Sequence, residues 1–233
     1  MRFGAAVLTA VVASGATVQV APAQEGQSEV YEHVDLHFTS HAPKHRSGFA
    51  WHVRQRPVGA DEQPPPVRRA RLRFPRGTRI DTSAVKRCTA TEAEIQAGGT
   101  SACPAPSRLG AGEGTIYIGS PQQITAQVDA FNADGSALLV LSTEAGAVLR
   151  VIRGTVAGNV IDATLPRVDL AGGKEAALTS LSVRLRAAGT RRHPWLRTPR
   201  RCPARGSWKF VYDISYDDPP GDQSPFSRSR CER

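Results

Sequence analysis

Histidine is the residue type whose placement most suggests chemistry. Five of the six histidines lie close together in the first quarter of the chain, at His33, His37, His41, His45 and His52. On a β-strand, His33, Asp35 and His37 would project from one face, because alternate side chains share a face. Two imidazoles and a carboxylate suit Zn²⁺ or another divalent transition metal. These three residues form the predicted metal site, which would serve a metal-dependent hydrolase or a metal-binding protein.

Strand geometry limits this metal site. Residues four apart on a strand have backbones about 13 Å apart, so one ion reaches both histidines only where the strand bends. A helix would align the histidines at a spacing of four, but Pro43 and the nearby β-branched and aromatic residues argue against a helix. The alternative interpretation is a set of solvated or structural histidines, or one that responds to pH.

A second candidate site is a ladder of arginines. Arg69, Arg71 and Arg73 alternate with apolar residues, so they would project from one face of a strand. The guanidinium group binds carboxylate and phosphate through a planar fork, and the ladder therefore predicts an anion-binding face. The alternative is an ordinary charged outer face that guards against strand-to-strand association.

The sequence contains no complete motif for a catalytic nucleophile or for a dinucleotide-binding loop. Residues 99–103 fall one glycine short of a nucleophile elbow, and no predicted helix follows them. The glycines at 110, 112 and 114 precede a strand and lack the spacing of a dinucleotide-binding loop. We therefore expect no catalytic residue, no cofactor and no enzymatic activity. The metal-dependent hydrolase is the alternative.

The chain is strongly basic, with 30 Lys and Arg against 21 Asp and Glu and a formal net charge of +9. The excess is mostly arginine, since lysine occurs only at Lys44, Lys86, Lys174 and Lys209. An arginine-rich surface suits anionic partners, and an anionic cell-wall polymer is the leading candidate. Specific nucleic-acid binding is not expected. The alternative is a compositional bias toward arginine without selection for binding.

Four cysteines, Cys88, Cys103, Cys202 and Cys231, point to two disulfides in an exported chain, although four cysteines allow three pairings. We favour Cys88–Cys103 and Cys202–Cys231, because each pair brackets a Pro- or Gly-rich segment. The alternative, a four-ligand metal site, lacks any Cys-x-x-Cys pair.

Residues 1–23 have the layout of a secretory signal peptide. Met1-Arg2 is followed by an uncharged apolar stretch and then by Ala21-Pro22-Ala23. Cleavage there would leave residues 24–233 as a single β domain, secreted or held at the cell envelope. The alternative is a retained membrane anchor, for which the stretch is weakly apolar. We expect no transmembrane segment in the mature chain.

Alternation of apolar and polar residues dominates the rest of the chain. It predicts strands at residues 30–38, 48–56, 69–74, 115–118, 124–131, 137–142, 147–152, 159–165, 178–186 and 207–216. The expected fold is mostly β, an antiparallel β-sandwich or barrel of nine or ten strands. One short helix is predicted after Cys88, where Thr91 and Glu94 match a capping box and Gly98-Gly99 ends the helix.

Several segments resemble a group of uncharacterised exported proteins from actinobacteria. They include Arg73-Phe-Pro-Arg-Gly-Thr-Arg-Ile-Asp-Thr, Arg87-Cys88-Thr-Ala-Thr-Glu, Ala102-Cys103-Pro, and Leu196-Arg-Thr-Pro-Arg-Arg-Cys202. The resemblance implies an actinobacterial source and a shared disulfide-stapled scaffold, and it implies no activity.

The leading prediction is a non-enzymatic exported protein that acts at or near the cell envelope and binds an anionic polymer. A third functional alternative is a purely structural component of the cell wall, which requires neither a metal site nor an anion site.

Overall fold

The computed structural model describes residues 29–59, 62–119, 122–217 and 220–232, so the predicted signal peptide lies outside the described residues. No helix in this part of the chain is long and apolar enough to cross a membrane.

The helix α1 is Glu92–Gly98. The strands are β1 (Tyr31–Phe38), β2 (Phe49–Gln55), β3 (Arg69–Arg73), β4 (Arg79–Ile80), β5 (Arg108–Gly119), β6 (Gln122–Ala133), β7 (Ser136–Ser142), β8 (Val148–Ala157), β9 (Val160–Thr164), β10 (Ala177–Leu185), β11 (Leu196–Arg197), β12 (Ser207–Ser215) and β13 (Phe226–Arg230).

Eleven of these strands form one antiparallel sheet in the order β1-β2-β10-β5-β6-β7-β8-β9-β3-β12-β13, and β4 pairs with β11 separately. The two end strands meet through side chains. The backbone N–H of Leu36 donates to Ser227 Oγ at 3.0 Å, and that of Phe38 donates to Ser229 Oγ at 3.2 Å. The predicted antiparallel β fold is confirmed, and its sheet is nearly closed into a barrel.

Three strands were missed by the sequence prediction, namely β4, β11 and β13, and β5 begins earlier than predicted. The glycines at its start explain the difference. A Cβ on Gly110 would lie 2.1 Å from the carbonyl oxygen of Arg184, and one on Gly112 would lie 1.9 Å from that of Ser182. Only glycine allows β5 to approach β10 so closely, and the Gly-x-Gly-x-Gly run is thus part of the sheet.

Aromatic side chains fill one half of the barrel interior. The rings of Phe38 and Phe210 lie 4.8 Å apart, and those of Phe49 and Phe74 lie 4.9 Å apart. The side chain of Phe38 is fully buried in this part of the interior. Tyr31 is also buried, because a register shift between Tyr31 and His33 turns its side chain inward.

A smaller apolar cluster lies outside the barrel, beneath α1. Ile95 of the helix is completely buried and packs in one cluster with Leu138, Val140 and Val151 of the strands below. The predicted capping box is present, with Thr91 and the Glu94 side chain exchanging hydrogen bonds at the helix start. The helix also ends where predicted, at Gly98, with Gly99 in the left-handed region.

Both predicted disulfides are present. Cys88–Cys103 joins the segment before α1 to the segment after it, and Cys202–Cys231 joins the segment before β12 to the residue that follows β13. Two disulfides are compatible with an extracellular protein.

Candidate anion-binding site

The predicted metal ligands lie on the outer face of β1. His37 Nδ1 lies 3.1 Å from Asp35 Oδ1, while the His33 ring packs edge-on at 4.7 Å against the ring of His52 on β2. Partial burial lowers the pKa of His52, and the neighbouring His33 and Arg54 lower that pKa further. His52 is therefore biased toward the neutral imidazole.

These side chains do not form a grouped set of ligands. Within the four described ranges of the chain, no three His, Cys, Asp or Glu side chains are placed to hold a metal ion. Two other histidines have separate partners, since His41 Nδ1 lies 3.6 Å from Glu232 and His45 Nδ1 lies 3.0 Å from the Pro43 carbonyl oxygen. A metal site at His33, Asp35 and His37 stays a prediction of the sequence.

The arginine ladder projects outward from β3, as predicted, but neighbouring strands supply carboxylates to it. Arg69 donates to both oxygens of Asp162, at 2.8 and 2.6 Å, and Arg71 donates to one of them at 2.9 Å. Arg73 Nε lies 2.6 Å from Asp213. The hydrogen bonds from Arg69 and Arg71 lower the pKa of Asp162 to about 2. Carboxylates of the protein itself therefore largely compensate the positive charge of the ladder. Its role in anion binding stays a prediction.

A second group of cations surrounds a cleft and lacks such compensation. The cleft has a volume of about 260 Å³ and is lined by Lys44, Gly77, Arg79, Arg197, Thr198 and Arg200. We call it the basic cleft. Among the described residues, none of its four cations forms an ion pair with a carboxylate. The cleft is therefore a concentration of uncompensated positive charge.

Backbone pairing brings these cations together. Arg79 of β4 lies directly opposite Arg197 of β11, and Arg197 also forms an isolated antiparallel bridge with Arg46. Like charges placed directly opposite each other on paired strands are destabilising. An anion bound between the guanidinium groups would remove this repulsion.

A buried threonine fixes the loop that carries Lys44. Thr198 Oγ1 accepts from the backbone N–H of His45 at 2.9 Å and donates to the carbonyl oxygen of Ala42 at 2.8 Å. The Lys44 N–H donates to the carbonyl oxygen of Pro199 at 2.9 Å, and Lys44 has a positive φ of 59°. Since a non-glycine residue rarely takes this conformation, the surrounding contacts hold the lysine loop in place.

Sequence reasoning missed the basic cleft because its residues come from distant parts of the chain. Arg79 lies in one of the segments that carry the resemblance, and Arg197 and Arg200 lie in another, more than a hundred positions later. Only the pairing of β4 with β11 shows that these cations converge.

Comparisons of the chain with protein-family models, with curated proteins and with solved structures find no match.

Proposed function

We propose that this protein is an exported, non-enzymatic β-barrel protein that binds an anionic polymer of the cell envelope through the basic cleft. The observation that carries the proposal is the convergence of Lys44, Arg79, Arg197 and Arg200 without an ion-pair partner among the described residues. Export is supported by the signal-peptide pattern and by two disulfides. An actinobacterial source is supported by the resemblance of the sequence.

The chemistry of the cleft suits phosphate or carboxylate groups. Each guanidinium offers a rigid fork of N–H donors, and Lys44 adds a mobile point charge. Charge-assisted hydrogen bonds of this kind are about twice as strong as neutral ones. Arg76 precedes the cleft residue Gly77 in the sequence, and Arg46 pairs with Arg197 in an isolated β-bridge. A polymer could therefore contact several cations at once.

The ladder on β3 is a weaker candidate for the same role. An external anion would have to displace Asp162 or Asp213 from the guanidinium groups, whereas the cleft cations have no carboxylate partner within the described ranges. The basic cleft therefore takes the place of Arg69, Arg71 and Arg73 as the proposed site.

The test compares two triple variants that remove the same charge. The first, Arg79→Gln/Arg197→Gln/Arg200→Gln, empties the cleft of guanidinium groups. The second, Arg54→Gln/Arg108→Gln/Arg153→Gln, removes three arginines that are paired with carboxylates elsewhere. Binding to inorganic polyphosphate and to polyglutamate is measured by calorimetry at several salt concentrations.

We expect the cleft variant to bind one or both polymers at least about tenfold more weakly, since each lost charged contact is worth about 1.5–3 kcal/mol. The matched variant should retain most of the affinity. Loss with polyphosphate alone would identify a phosphate polymer, and loss with polyglutamate alone would identify a carboxylate polymer. Equal weakening in both variants, or no binding by the unmodified protein, would contradict the proposal.

A further inference from the structure

The barrel interior contains an apolar chamber that its own side chains do not fill. The chamber has a volume of about 80 Å³, and aliphatic and aromatic side chains form nearly all of its wall. Its lining includes one small residue on each of five different strands, namely Ala70, Ala130, Ala137, Gly154 and Ala163. Because these side chains are too short to reach across the barrel, this half of the interior stays open, in contrast to the half filled by phenylalanines.

A second apolar cavity adjoins the chamber. We call it the mouth; it has a volume of about 170 Å³ and is lined mainly by Ile, Leu, Val and Pro side chains. Ile152, Leu165 and Leu178 line both the chamber and the mouth. These three side chains therefore form the partition between the two spaces, and rotation of aliphatic side chains would join them.

Several side chains at these cavities remain partly exposed although they are apolar. Leu139, Ile161 and Ala163 line the chamber, and each keeps partial solvent access. Val168 lines the mouth and is 40% exposed, which makes it the one exposed large hydrophobic residue among those described. Covering this apolar surface would be favourable by roughly 25 cal/mol per Å².

The segment between β9 and β10 forms one wall of the mouth and is held by ion pairs. Arg68 pairs with Glu175 and with Asp217, and Arg167 pairs with the same two carboxylates. The side chains of Arg68 and Glu175 are mostly buried, at 17% and 14% exposure. The segment is thus fixed at both of its ends while its middle borders the mouth.

One cation at the mouth lacks a carboxylate partner in the described chain. The Arg150 guanidinium lines the mouth and donates from Nη2 to the carbonyl oxygens of Pro166 and Arg167, both at 3.0 Å. Carbonyl oxygens leave the positive charge of Arg150 uncompensated. The mouth therefore combines apolar walls with one available cation.

The chamber also contains an unsatisfied polar group. Trp51 lines the chamber, and its indole Nε1 is buried with no hydrogen-bond acceptor among the described residues. A buried donor without an acceptor costs about 1–3 kcal/mol. An acyl chain offers no acceptor to this N–H, so Trp51 serves here only as a side chain of the chamber wall that reports on what is bound there.

We propose that the chamber and the mouth together hold an unbranched acyl chain of medium length whose anionic end contacts Arg150. Their joint volume of about 250 Å³ is slightly below the roughly 300 Å³ at which ligand pockets begin, so a narrow chain fits and a bulky lipid does not. This site is separate from the basic cleft, and the inference does not depend on the proposed polymer binding. The chain comes from a free fatty acid or from a membrane lipid.

Tryptophan fluorescence gives a direct test, because bromine quenches it at short range. Trp51 lines the chamber, whereas Trp195 and Trp208 are buried elsewhere, with their indole N–H groups bonded to Asn132 and to the Arg201 carbonyl oxygen. The probes are a medium-length fatty acid brominated in mid-chain and vesicles of phosphatidylglycerol with brominated chains. We expect saturable quenching by at least one probe, and loss of most of that quenching in Trp51→Phe.

Two substitutions then locate the bound chain. Ala163→Leu fills the chamber and should weaken binding of the quenching probe about tenfold or more, while Ala111→Leu, on the outer face of β5, should leave the affinity unchanged. Arg150→Gln should weaken binding of the charged fatty acid but not of its methyl ester. Should Ala163→Leu fail to fold, Ala137→Leu fills the same chamber from β7.

Each arm has a decisive outcome. Quenching by the free acid alone identifies a fatty acid, and quenching by vesicles identifies a lipid chain. No quenching of the unmodified protein by either probe would overturn the proposal. Quenching that persists undiminished in Trp51→Phe, or in both chamber-filling variants, would place the chain outside the chamber and overturn it as well.

Discussion

Among single residues, Asp162 shows most clearly how the structure changes the meaning of an arginine-rich strand. Its carboxylate receives hydrogen bonds from Arg69 and Arg71, which lower its pKa from the ordinary value of 3.8 to about 2. Because the pKa is lower in the folded state, the stabilisation is fully present above pH 3.8 and is lost as the pH falls toward about 2.

Asp162→Asn should therefore destabilise the protein at pH 7 but not at very low pH. We expect a loss of about 1 kcal/mol in the free energy of unfolding, because solvent screens part of the interaction. The difference should shrink between pH 4 and pH 2. Urea denaturation across this pH range measures it, with the exposed Asp134→Asn as control. Equal stability of the Asp162→Asn variant and the unmodified protein at pH 7 would show that the ladder pairs contribute nothing.

The histidines of β1 give a second prediction at this scale. If the sequence-predicted site is real, protein purified without chelators or a histidine tag carries near-stoichiometric transition metal. His33→Ala/His37→Ala should then lose that metal, because two of its ligands are removed. His41→Ala/His45→Ala, in which both altered residues have partners elsewhere, should keep it. Elemental analysis decides, and a folded protein without metal would contradict the site.

Among the strands and helices, β5 contains positions that only glycine can occupy. The Cβ of an alanine at 112 would overlap the backbone of β10, which cannot move without breaking the sheet ladder. Gly112→Ala should therefore destabilise the protein by about 3 kcal/mol. Gly98→Ala is the matched control, because its Cβ would meet only the Ala102 side chain at an ordinary 3.7 Å. Thermal unfolding of both variants tests the argument, and equal melting temperatures would refute it.

The elements that the sequence predicted are those with strong local signals. The alternation in β1 and β2 and the capping box of α1 depend only on neighbouring residues, and the structure contains both strands and the capping box. β4 and β11 have two residues each and form only because Arg79 and Arg197, more than a hundred positions apart, are brought together. β13 alternates serine and arginine, so its buried face has no apolar pattern.

The same reasoning explains what was missed about the candidate sites. The composition directed the prediction of an anion site to arginine, but a single sequence does not show which arginines face a carboxylate on a neighbouring strand. Asp162 and Asp213 become partners of the ladder only through the pairing of β3 with β9 and with β12. The apolar chamber depends on closure of the whole sheet, because its small lining residues come from strands spread along the chain.

At the scale of the whole molecule, the barrel depends on how β1 meets β13. Ser227 Oγ accepts from the N–H of Leu36 and donates to its carbonyl oxygen, at 3.0 and 3.2 Å, in a buried setting. The serine side chain thus replaces part of a backbone ladder at the seam.

The Cys202–Cys231 disulfide follows directly after β13 and closes a loop of 29 residues. On the chain-entropy model, this loop closure stabilises the folded protein by about 3.5 kcal/mol.

Ser227→Ala should open this seam while leaving the rest of the sheet intact. The change leaves the N–H and the carbonyl oxygen of Leu36 without their partner, and Leu36 is completely buried, so we expect a loss of about 2–3 kcal/mol. Native-state hydrogen exchange should show the Leu36 amide exchanging much faster, with a smaller change at Val128 on the opposite side of the sheet. Ser224→Ala, which removes an exposed hydrogen bond to Asp213 just before β13, is the control. If Leu36 and Val128 lost protection equally, the seam would not open independently of the sheet, and β1 and β13 would unfold only with the whole barrel.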